Sequence, residues 1–267
     1  MRRWLPRAFL LLGVAVVTTG CKSNAFTRMG MTAPVTKQGQ VTLSMWQGSW
    51  IAAWGVGIVV WGGILWAITF HRKRSDQLPH QVRYNLPIEI LYTVLPFIMV
   101  GVIFYFTARD ERYITQNPAH PYLRVLVIGE QWSWQFSYPQ YAVNSPKWPY
   151  GDVTQVGAMY NPDLPSTKQH LPLLVIPVGK TVQFNLRSPD VIHSFWVVPF
   201  EFKRQVIPGF KNRFTITATH TGSFIGRCGE LCGVYHSRML FRIDIVTLAR
   251  FHQWIAGQQR QQISGGV

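Results

Sequence analysis

Residues 46–70 form an unbroken uncharged run, Trp46-Gln-Gly-Ser-Trp-Ile-Ala-Ala-Trp-Gly-Val-Gly-Ile-Val-Val-Trp-Gly-Gly-Ile-Leu-Trp-Ala-Ile-Thr-Phe70. A helix needs about 20 apolar residues to cross the hydrocarbon core of a bilayer, so this run predicts a tilted membrane-spanning helix. Trp46, Trp50 and Trp66 stand near its ends, as interfacial aromatic residues do. The run decides the fold class, because a membrane segment has to be placed before any globular domain is counted.

A second apolar run extends from Pro87 to Ala108 and is interrupted only by Glu89 and Pro96. The segment between the two runs, residues 71–86, is rich in arginine and lysine. Positively charged loops remain in the cytoplasm, so we predict a hairpin of two spans, 46–70 and 87–108, with both ends outside. For Glu89, a functional role and a carboxylate that only reaches water at the membrane edge are both open.

The first 20 residues are typical of a secretory signal. Three arginines precede a short apolar run, Ala8 to Val17, in the order of a signal peptide. Thr18-Thr-Gly-Cys21 then resembles a lipoprotein cleavage box, with a threonine where an aliphatic residue is usual. The sequence predicts a signal peptide at 1–20, a lipidated Cys21 as the first mature residue, and an extracytoplasmic segment at 21–45.

After Asp110 the chain changes to short runs of alternating and β-branched residues separated by turn-forming residues. Seven such runs predict a β-sandwich or Greek-key barrel at 109–248, with a C-terminal helix and tail at 249–267. The segment Tyr141 to His170 has little periodicity, which predicts a long surface excursion. The predicted strands are Leu123 to Ile128, Gln131 to Tyr138, Leu173 to Ile176, Thr181 to Arg187, Ile192 to Val198, Arg213 to Thr219 and Met239 to Val246, and the helix is Leu248 to Arg260.

The segment Cys228-Gly-Glu-Leu-Cys232-Gly-Val-Tyr-His236-Ser-Arg-Met239 places two thiols, an imidazole and a thioether in one loop. A second imidazole, His193, precedes the loop on a predicted strand. Thiolate, thioether and imidazole ligands together select copper over hard cations. A strand and a neighbouring loop at one end of a sandwich are also how copper electron-transfer sites are built, so the sequence indicates such a site.

Other interpretations of the cysteine pair remain open from the residues alone. A Cys-x3-Cys pair outside the cytoplasm can be a disulfide in a structural lipoprotein. Zinc also binds two cysteines with two histidines, although it has little use for a thioether. A membrane-anchored copper chaperone or thiol-redox protein has the same cysteine spacing and a distant histidine. That class has one span and alternating helices and strands, whereas this sequence predicts two spans and a run of strands.

Four motifs and the hairpin carry a family resemblance. The motifs are Gly129-Glu-Gln-Trp132-Ser-Trp134, Asp190-Val-Ile-His193-Ser, Val206-Ile-Pro-Gly209 and the segment Cys228 to Met239. Together they resemble subunit II of haem-copper cytochrome c oxidases, over roughly Trp46 to Val246. A quinol oxidase subunit II shares the hairpin and barrel but lacks the copper ligands, which are present here. The lipoprotein-like start and Val82-Arg-Tyr-Asn-Leu-Pro-Ile-Glu89 are most similar to actinobacterial forms.

The resemblance implies a fold and a metal centre. The fold is a two-helix transmembrane hairpin followed by an all-β cupredoxin-like Greek-key barrel, which holds a binuclear mixed-valence copper centre called CuA. The residues that match its ligands are His193, Cys228, Cys232, His236, Met239 and, through its backbone carbonyl, Glu230. In the family both cysteines bridge the two coppers and each histidine binds one. The Glu230 side chain matches a ligand of a magnesium ion shared with subunit I.

The resemblance also implies an electron path. Trp132 matches the residue that receives electrons from cytochrome c, and Glu89 matches the carboxylate at the mouth of a proton pathway in subunit I. Electrons would pass through Trp132 and CuA to haem in subunit I, which carries the haems and CuB, for oxygen reduction coupled to proton pumping. The implied location is the bacterial plasma membrane, with membrane lipid and other oxidase subunits as partners, no nucleic acid, and the C-terminal domain on the extracytoplasmic side.

The charge of the chain departs from the best-known pattern of that family. It has 26 basic and 11 acidic residues, a formal net charge of +15. Relatives that use a basic soluble cytochrome c carry an acidic docking surface, but Ser137 and Gln140 stand here where acids are expected, and Phe210 replaces a common basic residue. Like charges slow association. We therefore expect an acidic or tethered donor, such as a membrane-anchored cytochrome or a dihaem cytochrome in a supercomplex with a cytochrome bc-type complex.

Overall fold

The computed structural model describes residues 25–74, 77, 81–141 and 153–264 of the 267-residue chain. The described chain begins with two long helices, continues into a β domain and ends in a helix. The helices are α1 (Lys37–Phe70), α2 (Leu86–Ile114) and α3 (Leu248–Ser264). The predicted signal peptide and the predicted lipidation of Cys21 lie outside the described residues.

Both α1 and α2 are long and apolar enough to cross a membrane, and no residue of their most apolar windows is buried. Helix α1 begins well before the uncharged run, because the Thr36 hydroxyl caps it by accepting the Gly39 N–H at 2.9 Å. Asn85 caps α2 in the same way, with a proline in the first turn. The 34 residues of α1 extend about 51 Å. The bilayer core is only about 30 Å thick, so the start of α1 reaches past the membrane.

The β domain is a sandwich of two five-stranded sheets. Sheet one has the order β3-β2-β1-β5-β8, and sheet two has the order β4-β10-β9-β6-β7. Most neighbours are antiparallel, but β1 pairs parallel with β5 and β10 pairs parallel with β4. The strands are β1 (Leu123–Glu130), β2 (Ser133–Tyr138), β3 (Val153–Val156), β4 (Leu173–Pro177), β5 (Thr181–Arg187), β6 (His193–Val197), β7 (Phe202–Val206), β8 (Asn212–Thr217), β9 (Gly222–Cys228) and β10 (Leu240–Val246).

All seven predicted strands are present, and three further strands were missed. Strand β3 lies within the segment predicted as a surface excursion, so that prediction is wrong for Val153–Val156, which pairs with β2 at the edge of sheet one. Strand β7, Phe-Lys-Arg-Gln-Val, is an edge strand with mostly exposed polar residues. Strand β9 carries two glycines, which weaken any strand pattern.

Aromatic side chains fill the space between the sheets at the level where β2, β6 and β10 meet. The Trp134 ring contacts Phe195 and Phe241 with centroid distances of 5.9 and 5.4 Å, and Phe195 stacks on Phe241 at 4.9 Å. All three are essentially inaccessible to solvent. Burying one such side chain stabilises the fold by roughly 1.5–3 kcal/mol, so this cluster fixes how the two sheets face each other.

We expect Gly226→Ala to destabilise the sandwich by about 1–3 kcal/mol. Gly226 pairs with Phe241 across β9 and β10, and a Cβ atom there would overlap the Phe241 ring. That ring is held by its aromatic neighbours, so it has no room to turn away. The measurement is thermal unfolding of the purified protein. Gly257→Ala is the matched control, because nothing lies within 4 Å of its added Cβ and alanine favours a helix.

The start of α1 is attached to one end of the sandwich. The Val35 N–H donates to the Pro199 carbonyl at 2.9 Å, and the Thr219 N–H donates to the Val35 carbonyl at 2.8 Å. The Thr217 N–H at the end of β8 donates to the Gln38 side chain at 3.0 Å. These contacts occupy the end of the sandwich where β8 finishes and β5 starts. The candidate metal ligands gather at the opposite end, which we call the metal end.

Candidate metal centre

The strand register brings the Cys228 to Met239 loop next to the start of β6. Phe195 in β6 pairs with Cys228 at the end of β9, and the Gly229 N–H donates to the Ser194 carbonyl at 2.9 Å. The loop is closed by the Cys228 N–H, which donates to the Met239 carbonyl at 3.1 Å. Because His193 is the first residue of β6, this pairing carries its imidazole to the cysteines. The loop connects β9 to β10.

Nitrogen, sulfur and oxygen donors converge between these two segments. The ligand atoms of His193, Cys228 and Cys232 all lie within 4.8 Å of one another. Cys228 Sγ lies 3.8 Å from His193 Nδ1 and 3.1 Å from the Glu230 carbonyl oxygen. Cys232 Sγ lies 3.5 Å from His236 Nδ1 and 3.8 Å from Met239 Sδ. The structure therefore brings together all six donors that the sequence suggested.

This donor set fits copper. Both thiols are free and buried, so the disulfide alternative is not the arrangement found here. Each thiol faces the Nδ1 atom of a different histidine, and the thioether approaches Cys232. Soft sulfur donors mixed with imidazole are the ligands that copper prefers, and a thioether is of little use to zinc. The cluster is consistent with a CuA site.

The two thiols of the site have opposite pKa shifts. Burial acts to raise the pKa of Cys228, but hydrogen bonds with His193 and with the backbone of Glu230 outweigh it, so the pKa falls below its usual value. Burial, followed by repulsion from Cys228, raises the pKa of Cys232 to about 12. Two close thiolates repel each other unless a cation lies between them, so the site favours a metal that can neutralise both charges.

Asp190 orients the imidazole of His193. Its Oδ1 atom lies 2.9 Å from His193 Nε2, which leaves Nδ1 to face Cys228. Its other oxygen, Oδ2, accepts the Gln131 N–H at 2.6 Å. Burial acts to raise the pKa of Asp190, but the hydrogen bond from His193 and those from backbone N–H groups leave it lowered. Burial likewise acts to lower the pKa of His193, and hydrogen bonds with Cys228 and Asp190 leave it raised. A carboxylate behind a ligating histidine fixes the ring and increases its basicity.

We expect Asp190→Ala to weaken copper binding by roughly 10- to 100-fold, with Asp190→Asn in between. The alanine variant frees His193 to rotate, whereas the asparagine oxygen can still accept a bond from Nε2. The measurement is a competition titration with a copper chelator. Asp244→Ala is the control, because Asp244 contacts Ser223 and Arg242 on the strands rather than the donor cluster. If Asp244→Ala weakened copper binding as much as Asp190→Ala does, Asp190 would not act by orienting His193.

Trp132 touches the backbone of the donor loop. Its indole N–H donates to the Cys232 carbonyl at 3.2 Å, and its ring packs edge-on against Tyr235 at 5.0 Å. Trp132 lies in the turn before β2 and is half-buried, whereas Trp134 is fully buried in the core. Gly233 adopts a φ of +125°, and a Cβ there would press on the indole.

The two predicted carboxylates lie far apart in the chain. Glu89 is in the first turn of α2, where its Oε1 atom accepts the Asn85 N–H at 3.0 Å, so part of its role is to cap the helix. The Glu230 carbonyl belongs to the donor cluster, and its side chain approaches Gln205 Nε2 at 3.5 Å. The structure brings Glu230 to the metal end and does not bring Glu89 there.

The sequence-based candidates omitted two residues that hold the site. Asp190 was quoted only as part of a motif, and Gln131 was assigned to a strand, although it lies in the turn before β2. The Gln131 side-chain amide donates to the Cys232 carbonyl at 2.8 Å, beside the bond from Trp132. The spacing Asp-x-x-His before a strand was the available signal for Asp190. No local signal pointed to Gln131, because its partner is 101 positions away.

Known proteins share these features. Residues 123–246 match the family model described as the periplasmic domain of cytochrome c oxidase subunit II. A probable cytochrome c oxidase subunit 2 of Streptomyces avermitilis is 43% identical over 288 aligned residues, which cover 100% of this chain and 90% of the relative. Cytochrome c oxidase subunit 2 of Mycobacterium tuberculosis strain H37Rv is 34% identical over 299 aligned residues, which cover 97% of this chain and 82% of the relative.

Among solved structures, the periplasmic domain of subunit II of cytochrome oxidase of Bradyrhizobium japonicum is 29% identical with a TM-score of 0.45, covering 53% of this chain and 96% of that one. The two actinobacterial relatives align over nearly the whole chain, including both long helices and the donor loop. The chain therefore belongs to the cytochrome c oxidase subunit II family and is similar to its actinobacterial forms.

Proposed function

We propose that this subunit of cytochrome c oxidase accepts electrons from cytochrome c at a binuclear CuA centre and passes them to haem in subunit I, for oxygen reduction coupled to proton pumping. The observation that carries the proposal is the convergence of two free thiols, two Nδ1 atoms, a thioether and a carbonyl at the metal end. As a subunit of the oxidase, the chain is part of a haem-copper oxidase complex with other subunits.

Six residues would hold the copper pair, which when bound supplies a one-electron acceptor. They are His193, Cys228, Glu230 through its carbonyl, Cys232, His236 and Met239. The donors are fixed by the β6–β9 pairing and by the aromatic core beneath them, where the Trp134 ring lies 6.2 Å from the imidazole of His193. A preformed ligand set on rigid strands changes little when the charge changes, which favours fast electron transfer.

Trp132 is the residue that we propose receives the electron. Its indole bonds directly to the carbonyl of a cysteine ligand, so one hydrogen bond separates the ring from the donor loop. Part of the ring remains accessible to a partner, because Trp132 is only half-buried. Gln131 bonds to the same carbonyl and to Asp190, which holds the turn that carries the indole.

Three further roles complete the proposal. Glu89 is the carboxylate at the mouth of a proton pathway into subunit I, supported by its place at the start of a candidate span. The Glu230 side chain binds a magnesium ion shared with subunit I, supported by its half-buried position beside the donor cluster. Cys21 is lipidated after removal of residues 1–20, which the lipoprotein-like sequence supports.

We propose that the protein crosses the plasma membrane of a bacterium twice. The spans are 46–70 and 87–108, and the basic segment 71–86 is cytoplasmic. Residues 21–45, the copper domain at 109–248 and the tail at 249–267 are extracytoplasmic. Two exposed apolar helices and a domain whose family model is named periplasmic support this arrangement. The donor is a membrane-anchored cytochrome c or a dihaem cytochrome in a supercomplex with a cytochrome bc-type complex.

The test is the copper content and EPR spectrum of the full-length protein loaded with copper. We expect two coppers per chain and an EPR signal delocalised over both. One copper or none, together with a disulfide between Cys228 and Cys232, would overturn the proposal. That outcome would return the chain to the copper-chaperone or structural alternative, which the two-sheet sandwich does not favour.

A further inference from the structure

Three cationic side chains and an exposed aromatic ring lie together at the metal end of sheet one. They are Arg187, Lys211, Arg213 and Phe210, which we call the basic surface. We propose that the basic surface docks an acidic face of the protein that delivers electrons to Trp132. This inference rests on the proposed function, since the electron donor is the partner that it names, and it adds the surface of this chain to which the donor binds.

Strand pairing places the three cations side by side. Arg187 is the last residue of β5, and Lys211 immediately precedes β8. Arg213 pairs with Asn185 across the two strands, so its side chain lies on the outer side of the sheet. With Leu126, Pro139 and Asn185 among its neighbours, this group lines a shallow open pocket of about 520 Å³. The cations therefore form one surface rather than three scattered charges.

The basic surface adjoins the turn that carries Trp132. Arg187 pairs with Ile128 in β1, and four residues of chain, at most roughly 14 Å, separate Ile128 from the tryptophan. Beyond Arg187, the carboxylate of Asp190 accepts the Gln131 N–H at 2.6 Å. The segment after β5 thus runs along the turn before β2. A partner that covers both the basic surface and this adjoining turn would contact the indole.

The positive charge of this surface is not cancelled locally. Among the residues that the structure describes, Arg187, Lys211 and Arg213 form no ion pair and no side-chain hydrogen bond. Two carboxylates share this end of the sheet, and in the described residues neither pairs with these three cations: Glu130 accepts a bond from the neutral Gln135 at 2.7 Å, and Asp190 binds His193. Another nearby cation, Arg204, bonds to the neutral Asn212 at 3.0 Å. Cations remain in excess, so the field at this surface attracts an acidic partner.

The shape and composition favour a protein partner over a small anion. Phe210, next to Lys211, is 56% exposed, and Ile192, just before the first histidine ligand, is 43% exposed. A small anion would leave both of these apolar side chains in water. Apolar contacts rimmed by charges are typical of protein interfaces, in which the charges set the association rate and the apolar groups set the lifetime.

The test is the rate of copper-centre reduction in the purified oxidase complex, measured by stopped flow with two probes of opposite charge. One probe is a lysine-rich mitochondrial cytochrome c, and the other is the same protein with its lysines succinylated. We expect the succinylated probe to react faster at low salt and to slow as salt rises. In a variant that carries both Lys211→Glu and Arg213→Glu, we expect the rate constant for the succinylated probe to fall about tenfold or more. The rate constant for the unmodified probe should rise.

Lys180→Glu is the control, because it reverses one positive charge at the other end of β5. Copper content and reduction by a small neutral reductant show whether the centre itself is intact in each variant. A wild-type complex without copper would defeat the proposed function, whereas intact copper with equal rates for both probes would defeat the docking surface alone. Loss of another oxidase subunit from the double variant, with unchanged rates, would also overturn the proposal by making this surface a contact within the complex.

Discussion

Replacing Cys228 with serine should abolish the binuclear copper centre and reduce the turnover of the oxidase with cytochrome c by more than about 100-fold. Cys228 Sγ approaches His193 Nδ1 and the Glu230 carbonyl, so it is the donor that joins β6 to the loop. A serine hydroxyl is a hard, weakly acidic donor that cannot bridge two soft metal ions as a thiolate does. The remaining donors would hold one copper at most. The measurement is copper per chain, with the optical and EPR spectra, in the assembled complex.

Ser237→Ala is the control for that experiment. Ser237 is an exposed residue of the same loop and contributes no atom to the donor group. The control should therefore keep both coppers and turn over normally. If the Cys228 variant kept two coppers and a delocalised spectrum, the assignment of the bridging ligand would be wrong. If both variants lost copper, the loop would be failing to fold, and the result would report on packing rather than ligation.

The sequence predicts those elements whose own residues carry a clear pattern of apolar and polar side chains. The uncharged run at 46–70 carries its own evidence for a span, and alternating residues in β1 show one buried face, with burial repeating at every second residue. The missed strands depend on partners instead. Strand β3 forms because Val153–Val156 pairs with the edge of β2. Four residues are too few for a periodic pattern that would predict this pairing.

The donor residues could be predicted because copper needs particular side-chain types, and the loop supplies several of them within twelve residues. The residues that support these donors could not be predicted from the sequence. The bonds from Asp190 to Gln131 and from Gln131 to Cys232 join residues that are 59 and 101 positions apart. Their partners are set by how the turn before β2 meets the donor loop, which is a property of the packed sandwich. The basic surface is likewise visible only when β5 and β8 are paired.

Replacing Trp132 with phenylalanine should slow reduction of the copper centre by cytochrome c by about 100-fold while copper content stays unchanged. Phenylalanine keeps an aromatic ring against Tyr235 but loses the N–H that bonds to the Cys232 carbonyl at 3.2 Å. The hydrogen bond between the accessible ring and the donor loop is then broken. Gln131 still donates to the same carbonyl, so the loop itself keeps a supporting bond, worth about 1 kcal/mol, and should remain in place.

The experiment therefore separates electron delivery from metal binding. Trp196→Phe is the matched control, since Trp196 is a half-buried tryptophan of β6 that packs against Arg227 and makes no bond to the donor loop. Stopped-flow reduction by cytochrome c should be slow only in the Trp132 variant, whereas a small neutral reductant should reduce both variants at the wild-type rate. If cytochrome c reduced the Trp132 variant as fast as the control, electrons would have to reach the donor loop by another contact. The exposed side of His236 would then be the next route to test, because its Nδ1 lies 3.5 Å from Cys232 Sγ.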